Sequence, residues 1–274
     1  MVLISRYKQS FGLLSKEYKK YRGVYNDKLY KTLFSLVKTK KEKEISILDL
    51  GCGVGNSTEP MLQMAGKMKL LVSIIGCDID ERMLKEARAS AKKNELPIIY
   101  VPGAAEKLPF EREQFDIATS GAAFHWFATK KAMKEVQRVL KVGGMYFVFW
   151  TQNVGEKNKI IGKELYRNKK YKWQGIPKKL RKSEYVKGIF IKNGFEGVTV
   201  VKIPHVERRT MDETIGLIKT NSSYALLSPE DKKTFIKEMK KDYKKIIGDG
   251  IDTVRQEINV CYGTRPARIT RRGI

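Results

Sequence analysis

The sequence predicts an α/β protein: a doubly wound, mostly parallel seven-stranded sheet with helices on both faces and a helical cap insertion. Three observations predict it. Apolar runs of strand length stand at residues 45–50, 70–77, 97–101, 116–120, 145–150, 197–204 and 252–262. Helical patterns alternate with the first five runs, and units of this length build a parallel sheet through right-handed crossovers. The first run ends in the turn Gly51-Cys-Gly-Val-Gly55 and leads into a helical pattern through Met61, Leu62 and Met64. Strand, glycine turn and helix is how open α/β sheets take nucleotide-like ligands at the carboxyl ends of their strands.

Taken in order, residues 7–37 read as helical through Tyr7, Phe11, Leu14, Tyr18, Tyr21, Tyr25, Leu29, Leu33 and Leu36. Arg22 in this stretch has the fork to pair a carboxylate. A charged loop, 38–44, precedes the first strand. Position 56 is Asn, so the turn departs from the G-x-G-x-x-G dinucleotide fingerprint, and no phosphate-loop motif occurs. The second strand ends in Cys77-Asp78-Ile79-Asp80. Asp78 follows Gly55 by 23 residues, near the spacing at which a βαβ unit places a ribose-binding acid. A carboxylate accepts two hydroxyl hydrogen bonds, which is what a ribose diol offers. Asp80 reads as the N-cap of a helix from Glu81 to Lys93.

The fourth strand is followed by Gly121-Ala-Ala-Phe-His125-Trp126-Phe127. A helix through Met133, Val136 and Leu140 is expected to stop at Gly143-Gly144 as a glycine C-terminus. Residues 151–183 break the rhythm, with Tyr166, Tyr171 and Trp173 among lysines and arginines. Such a stretch stacks bases and holds phosphates, or forms a lid over a small anion. A helix follows over 183–192, then two more within 210–249. The second of these opens at Ser228-Pro229, a serine N-cap with proline at the first helical position. The arginine-rich tail from Thr264 reads as loose. Together these give an N-terminal helical flap at 1–44, a ligand-binding core at 45–150, and a sheet-completing part at 151–274. That last part carries cap insertions at about 151–183 and 210–249, all within one structural domain.

Three separated cysteines without metal spacing, and two histidines, point away from a zinc site and toward a reduced, cytoplasmic setting. No apolar run has the roughly 18 residues of a membrane span. The net charge of +25 admits nucleic acid, an anionic surface or an acidic substrate as partner. Lysines outnumber arginines 40 to 15, which fits a solvated surface as well as a polyanion partner. Oligomeric state is not legible.

Several stretches resemble the class I S-adenosylmethionine-dependent methyltransferases. Ile47-Leu-Asp-Leu-Gly-Cys-Gly-Val-Gly55 is similar to that family's first motif, and Gly76-Cys-Asp-Ile-Asp-Glu-Arg-Met-Leu84 to its second strand and helix. Ala105-Glu-Lys-Leu-Pro-Phe110, Phe115-Asp-Ile-Ala-Thr-Ser120 and Arg138-Val-Leu-Lys-Val-Gly-Gly-Met145 resemble later blocks. Ala123-Phe-His-Trp-Phe127, with Tyr18 to Tyr25 and Ile218 to Tyr224, resembles the methyltransferase type 11 group akin to trans-aconitate methyltransferase. Gly23 stands where that group has proline, and Asn221 where it has tryptophan.

The resemblance implies a Rossmann-like fold and S-adenosyl-L-methionine as cofactor. It implies that Gly51, Gly53 and Gly55 line the methionine part and that Asp49 supports its amino group. Asp78 would hold the ribose, Ile79 and Met83 would flank the adenine, and Ala105 and Glu106 would approach its edge. Ser120 would offer backbone, and Tyr18 and Arg22 would close on the methionine carboxylate. His125, Trp126, Trp173 and Tyr224 would face the acceptor. His125 is compatible with two active roles, a general base or an orienting donor, and with a passive one as pocket wall. His205 reads as structural. The expected activity is methyl transfer to a small molecule, in the first place a carboxylate. Methylation of RNA or another polyanion is the alternative, and a cofactor-binding protein without catalysis is a third.

Overall fold

Ile45, Ile47, Leu48 and Leu50 are all buried, as a strand covered on both faces requires. They form β1 (Ile45–Leu50) in the computed structural model, which describes residues 11–37, 43–154, 178–221, 224 and 227–267. The other strands are β2 (Val72–Asp78), β3 (Ile98–Pro102), β4 (Phe115–Gly121), β5 (Leu140–Asn153), β6 (Glu196–Arg209) and β7 (Asp252–Thr264). Their order in the sheet is β3-β2-β1-β4-β5-β7-β6. The first five pair in parallel. β7 runs antiparallel to β5: Gly143 N–H donates to Arg265 O, and Val154 N–H to Arg255 O, so one strand climbs as the other descends. The order reverses at β1 and β4, which opens a crevice at their carboxyl ends.

The backbone clusters into two compact units. The larger comprises Val24–Trp150, Ile176–Ile203 and Ile258–Ile274. Strand alternation gives it two apolar layers. Ile45, Ile47, Ile117, Phe147 and Phe149 face one layer with α2 (Asp27–Leu36) and α3 (Thr58–Lys67). Leu48, Leu50, Ala118, Tyr146 and Val148 face the other, with α5 (Lys130–Val139) and α6 (Ser183–Lys192). Between α3 and α5 in sequence comes α4 (Glu81–Lys93), whose Leu84, Ala87 and Ala91 pack with Tyr100 and Cys52. α5 presents Ala132, Met133, Val136 and Val139 at helical spacing. Each fully buried side chain of Leu or Phe size contributes about 1.5–3 kcal/mol.

The smaller unit comprises Met1–Gly23, Thr151–Gly175 and Pro204–Glu257. It holds α1 (Ser15–Tyr21), α7 (Met211–Lys219) and α8 (Pro229–Ile246). Gly216 is required there, since a Cβ would lie 2.3 Å from the Tyr21 ring. Ile218, Tyr224, Phe235 and Met239 make its core. α7 begins with a reciprocal Thr210–Glu213 capping box.

The expected N-caps are found. The Asp80 side chain accepts from Arg82 N, and Ser228 Oγ accepts from Asp231 N ahead of Pro229. Three expectations are corrected. The N-terminal stretch is not one helix: a 3-10 turn at Phe11–Leu14 precedes α1, and α2 starts anew where Asn26 Oδ1 caps Leu29 N. Helix α5 ends at Val139, not at the glycine pair. Leu140 is already extended and pairs with Phe115, while Met145 pairs with Ile117. The residues between bulge outward with Gly143 at φ +77°, a strand bulge and not a helix cap. In the tail expected to be loose, Arg265 is fixed beside the bulge. Buried Arg265 bonds both ways with Gly143 and Gly144 along the backbone, and its guanidinium takes Leu140 O and, at 2.9 Å, Glu113. Trp173, Tyr166 and Tyr171 lie outside the described residues.

Candidate cofactor site and acceptor wall

The glycine turn is held by backbone geometry that other residues resist. Gly51, Gly53 and Gly55 have φ of +75°, +53° and +81°. A Cβ on Gly51 would stand 2.5 Å from Ala123 Cβ, and one on Gly55 would stand 2.4 Å from Tyr100 Oη. At Gly53, among the described residues, only the Met83 methyl comes within 4 Å, at 3.3 Å. The middle of the turn is therefore the place where a ligand can approach bare backbone.

Asp49 lies at the end of β1 and is completely buried. Its Oδ2 accepts from Ser57 Oγ at 2.8 Å and Thr58 Oγ1 at 2.6 Å, and its Oδ1 accepts from Thr119 Oγ1 at 2.9 Å. The last bond follows from register, because Asp49 and Thr119 are partners across β1 and β4. Burial pushes the Asp49 carboxyl above the usual range, against the pull of the three hydroxyls. Its acceptor sites serve to fasten the start of α3 beneath the turn. Sequence reasoning missed these hydroxyls. The Ser57-Thr58 pair just after the glycines was the available signal.

Asp78 ends β2, next to β1. Its Oδ2 accepts from Gly53 N and its Oδ1 from Asp80 N, each at 2.9 Å. Burial raises its pKa, offset by those N–H groups. Each oxygen keeps a further lone pair, so the fixed carboxylate can still accept from a diol. Beside it Ile79 is 64 % exposed, an apolar shelf next to a polar anchor, while Met83 is buried under Gly53. Ala105 is buried and Glu106 half-buried, after Gly103 N–H bonds back to Asp78 O. The three glycines, Asp78, Ile79 and Met83 stand together at the carboxyl ends of β1 and β2, and Ala105–Glu106 follow the end of β3. A bare-backbone cradle, a diol-matched carboxylate and an apolar shelf fit S-adenosylmethionine.

Ser120 is buried at the end of β4, its Oγ 2.9 Å from Leu50 O and 3.0 Å from Tyr146 Oη. The hydroxyl is committed to the sheet, which leaves its backbone as the part that can meet a ligand. In the following turn Ala123, Phe124 and Phe127 are buried. His125 and Trp126 are half-buried, with ring centroids 4.9 Å apart. Burial pushes the Cys77 thiol up to about 12 and that of Cys52 upward as well, so both are inert packing groups.

Tyr18, Arg22 and Tyr224 belong to the smaller unit. There Arg22 Nε donates to Thr220 Oγ1 at 2.9 Å, and its guanidinium lies 5.0 Å from the Tyr18 ring centroid. Arg22 and Thr220, from two stretches singled out in sequence, therefore meet. Tyr224 is buried against Ile218, Phe235 and Met239, a core position in its own unit. His205 is buried on β6 with Nε2 3.2 Å from Glu207 Oε1. Among the described residues no helix is long and apolar enough to cross a membrane, and no group of three or more His, Cys, Asp or Glu could hold a metal ion.

Residues 48–148 match a family model described as Methyltransferase domain. A Dictyostelium discoideum protein provisionally named a methyltransferase is 26% identical, over 89% of this chain and 90% of its own length. The demethylmenaquinone methyltransferase of Lactococcus lactis is 33% identical, over 51% of this chain and 56% of its own. Among solved structures, an Anaeromyxobacter dehalogenans protein provisionally titled a type II methyltransferase has a TM-score of 0.68 at 18% identity. It covers 90% of this chain and 100% of that one. The YcgJ protein of Bacillus subtilis has a TM-score of 0.53 at 17% identity, over 89% and 100%. These two structures share the fold. With the motifs, the strand order and the named relatives in agreement, residues 48–148 form a methyltransferase domain on a Rossmann-like fold, and the chain is an S-adenosylmethionine-dependent methyltransferase.

Proposed function

We propose that the enzyme methylates a small-molecule acid at the carboxyl edge of β4 and β5, in the manner of the type 11 group akin to trans-aconitate methyltransferase. The observation that carries this reading is the wall after β4. Gly121 to Thr129 contains no lysine or arginine, in a chain that has 55 of them, and it offers half-buried His125 and Trp126 over an apolar floor. That is a surface for a small organic molecule, and it lacks the cations a nucleic-acid groove needs. The demethylmenaquinone methyltransferase among the relatives is also named for a small-molecule acceptor.

The bound cofactor supplies an electrophilic sulfonium methyl. Everything else falls to the chain. Gly51, Gly53 and Gly55 let backbone approach the methionine part, and Asp49 acts on it indirectly by fastening the turn. Asp78 takes the ribose hydroxyls. Ile79 and Met83 flank the adenine, with Ala105 and Glu106 at its edge and Ser120 backbone at the amino group. Holding two reactants in line can supply about 7–11 kcal/mol of the barrier. A carboxylate acceptor is ionised at neutral pH and needs no base, so His125 serves as an orienting donor. Gly23 and Asn221 replace the group's proline and tryptophan, so the acid need not be that of the group's namesake.

One observation favours a polyanion instead. A groove of about 460 Å³ in the smaller unit is lined by Tyr224, Lys232, Lys233, Ile236, Lys237 and Lys240. A radiolabelled methyl-transfer assay over carboxylic acids, phenols, amines and RNA, at two salt concentrations, separates the readings. Salt-insensitive turnover of an acid is expected. Turnover of RNA that collapses as salt rises would replace the proposal, and tight cofactor binding with no turnover anywhere would make the chain a binding protein. Asp78→Ala is expected to weaken cofactor binding about 10- to 100-fold in calorimetry, the loss of hydrogen bonds to a charged group. Unchanged affinity would refute the ribose assignment.

A further inference from the structure

We propose that Trp150 Nε1 and Asn259 Nδ2 form a two-donor subsite that binds a carboxylate oxygen of the acceptor. The inference rests on the small-acid reading above and deepens it.

The two residues face each other across β5 and β7. Arg265 N–H bonds to Gly144 O and Val154 N–H to Arg255 O, ten residues along on either strand. Counting inward from Gly144 opposite Arg265 sets Trp150 opposite Asn259. Directly opposed residues point to the same face with their Cβ atoms about 4.5–5.5 Å apart. Both are nine-tenths buried or more, at 7 % and 2 % exposure. Among the described residues neither Trp150 Nε1 nor Asn259 Nδ2 has a hydrogen-bond partner. Buried indole N–H groups usually find one, and an orphaned buried donor is costly. Two such donors on opposed residues of one strand pair are unusual. The amide is held in place from its other end, because Ser183 Oγ at the start of α6 donates to Asn259 Oδ1 at 2.8 Å.

The position is that of the acceptor wall. Phe149 O receives Ala122 N–H, so Trp150 stands one residue beyond the point where the His125–Trp126 turn leaves β4. Trp150 shares an apolar layer with Phe124, and Trp126 packs against that same layer. A donor pair with no charged partner among apolar walls selects an acceptor group with two lone pairs. A carboxylate makes the strongest such bonds, since they are charge-assisted. Neither donor can take a proton from the acceptor, so their part is to orient it.

The test uses the full chain labelled with ¹⁵N-tryptophan and saturated with S-adenosylhomocysteine. Sodium acetate, benzoate, succinate and citrate are titrated in against sodium chloride of equal ionic strength. The Trp150 indole N–H resonance is identified by its absence in Trp150→Phe. It is expected to move saturably with at least one carboxylate and not with chloride, and the movement should be lost in Asn259→Leu. For an acid the enzyme methylates, both variants should raise KM about 10- to 100-fold, the loss of a charge-assisted bond. Cofactor affinity should be unchanged. A resonance that no carboxylate moves means a structural water only, and overturns the subsite. So does an unchanged KM for a methylated acid in both variants. If the resonance responds while the wild type methylates none of the acids, the subsite stands and the small-acid function falls.

Discussion

The glycine turn and helix α8 are both crowded with polar side chains, and they use them in opposite ways. In the turn each polar group has a fixed address. Asp49 gathers three hydroxyls, and Asp78 holds the N–H groups of Gly53 and Asp80. In α8 Phe235, Met239 and Tyr243 are buried, while lysines cover the remainder as a solvated face. Burial raises the energetic value of each polar contact, so the turn should be intolerant of change and the lysine face indifferent to it.

The largest effect is expected at Gly51. A valine there meets the left-handed penalty of about 1–2 kcal/mol and overpacking of about 1–3 kcal/mol against Ala123. Gly51→Val should therefore lose about 2–5 kcal/mol in urea unfolding and should abolish cofactor binding. Wild-type stability would show that the turn is looser than its φ angles imply. Next comes Asp49→Leu, which strands the hydroxyls of Ser57, Thr58 and Thr119. It should cost about 3 kcal/mol, since buried unpaired groups cost about 1–3 kcal/mol each and some will find other partners. Asp49→Asn keeps an acceptor and should cost clearly less. Equal losses would mean that bulk and not bonding holds the site.

A second carboxylate in the same sheet sharpens the contrast. At Asp116, burial alone would raise the pKa. The Lys141 ammonium at 2.7 Å and the Ser46 N–H and hydroxyl outweigh it, so the carboxyl is held below its ordinary value. Its stabilisation is full above the ordinary carboxylate range near 3.9 and fades as pH falls toward the lowered native value. Asp49 has the opposite sign. Its raised native pKa means that the folded state binds more protons than the unfolded state in the window above about 3.9, so its contribution weakens as pH rises through that window. Asp116→Asn should cost about 1 kcal/mol at pH 7, as a partly buried ion pair does, and the difference should shrink at pH 3. A cost independent of pH would remove Lys141 from the account.

What was legible in the sequence follows the same division. Gly51, Gly53 and Gly55 could be read because backbone geometry dictates the residue type, and Asp80 and Ser228 because a cap is local. Gly143-Gly144 was misread because a glycine pair suits a helix end and a strand bulge equally. The choice is made by Arg265, more than a hundred residues away, through backbone bonds no local pattern encodes. The Thr119 hydroxyl on Asp49 and the Trp150–Asn259 pair were missed for the same reason. Register between distant strands brings them together. The seven strands themselves were visible because each carries its own apolar run.

The smallest effect is expected on α8. Lys240 lines the basic groove beside Tyr224 and Ile236, and its charge sits on the face away from Phe235 and Met239. Lys240→Gln keeps most of the aliphatic stem and has good helix propensity, so stability should stay within about 0.5 kcal/mol. Methylation of a small acid should be unaffected, because among the described residues no bond of the turn or of the wall after β4 involves this residue. If the groove holds a polyanion, the same substitution lowers affinity for RNA and flattens its salt dependence by about one counterion. A change in acid turnover without a change in RNA binding would instead tie the lysine face to the small-molecule site.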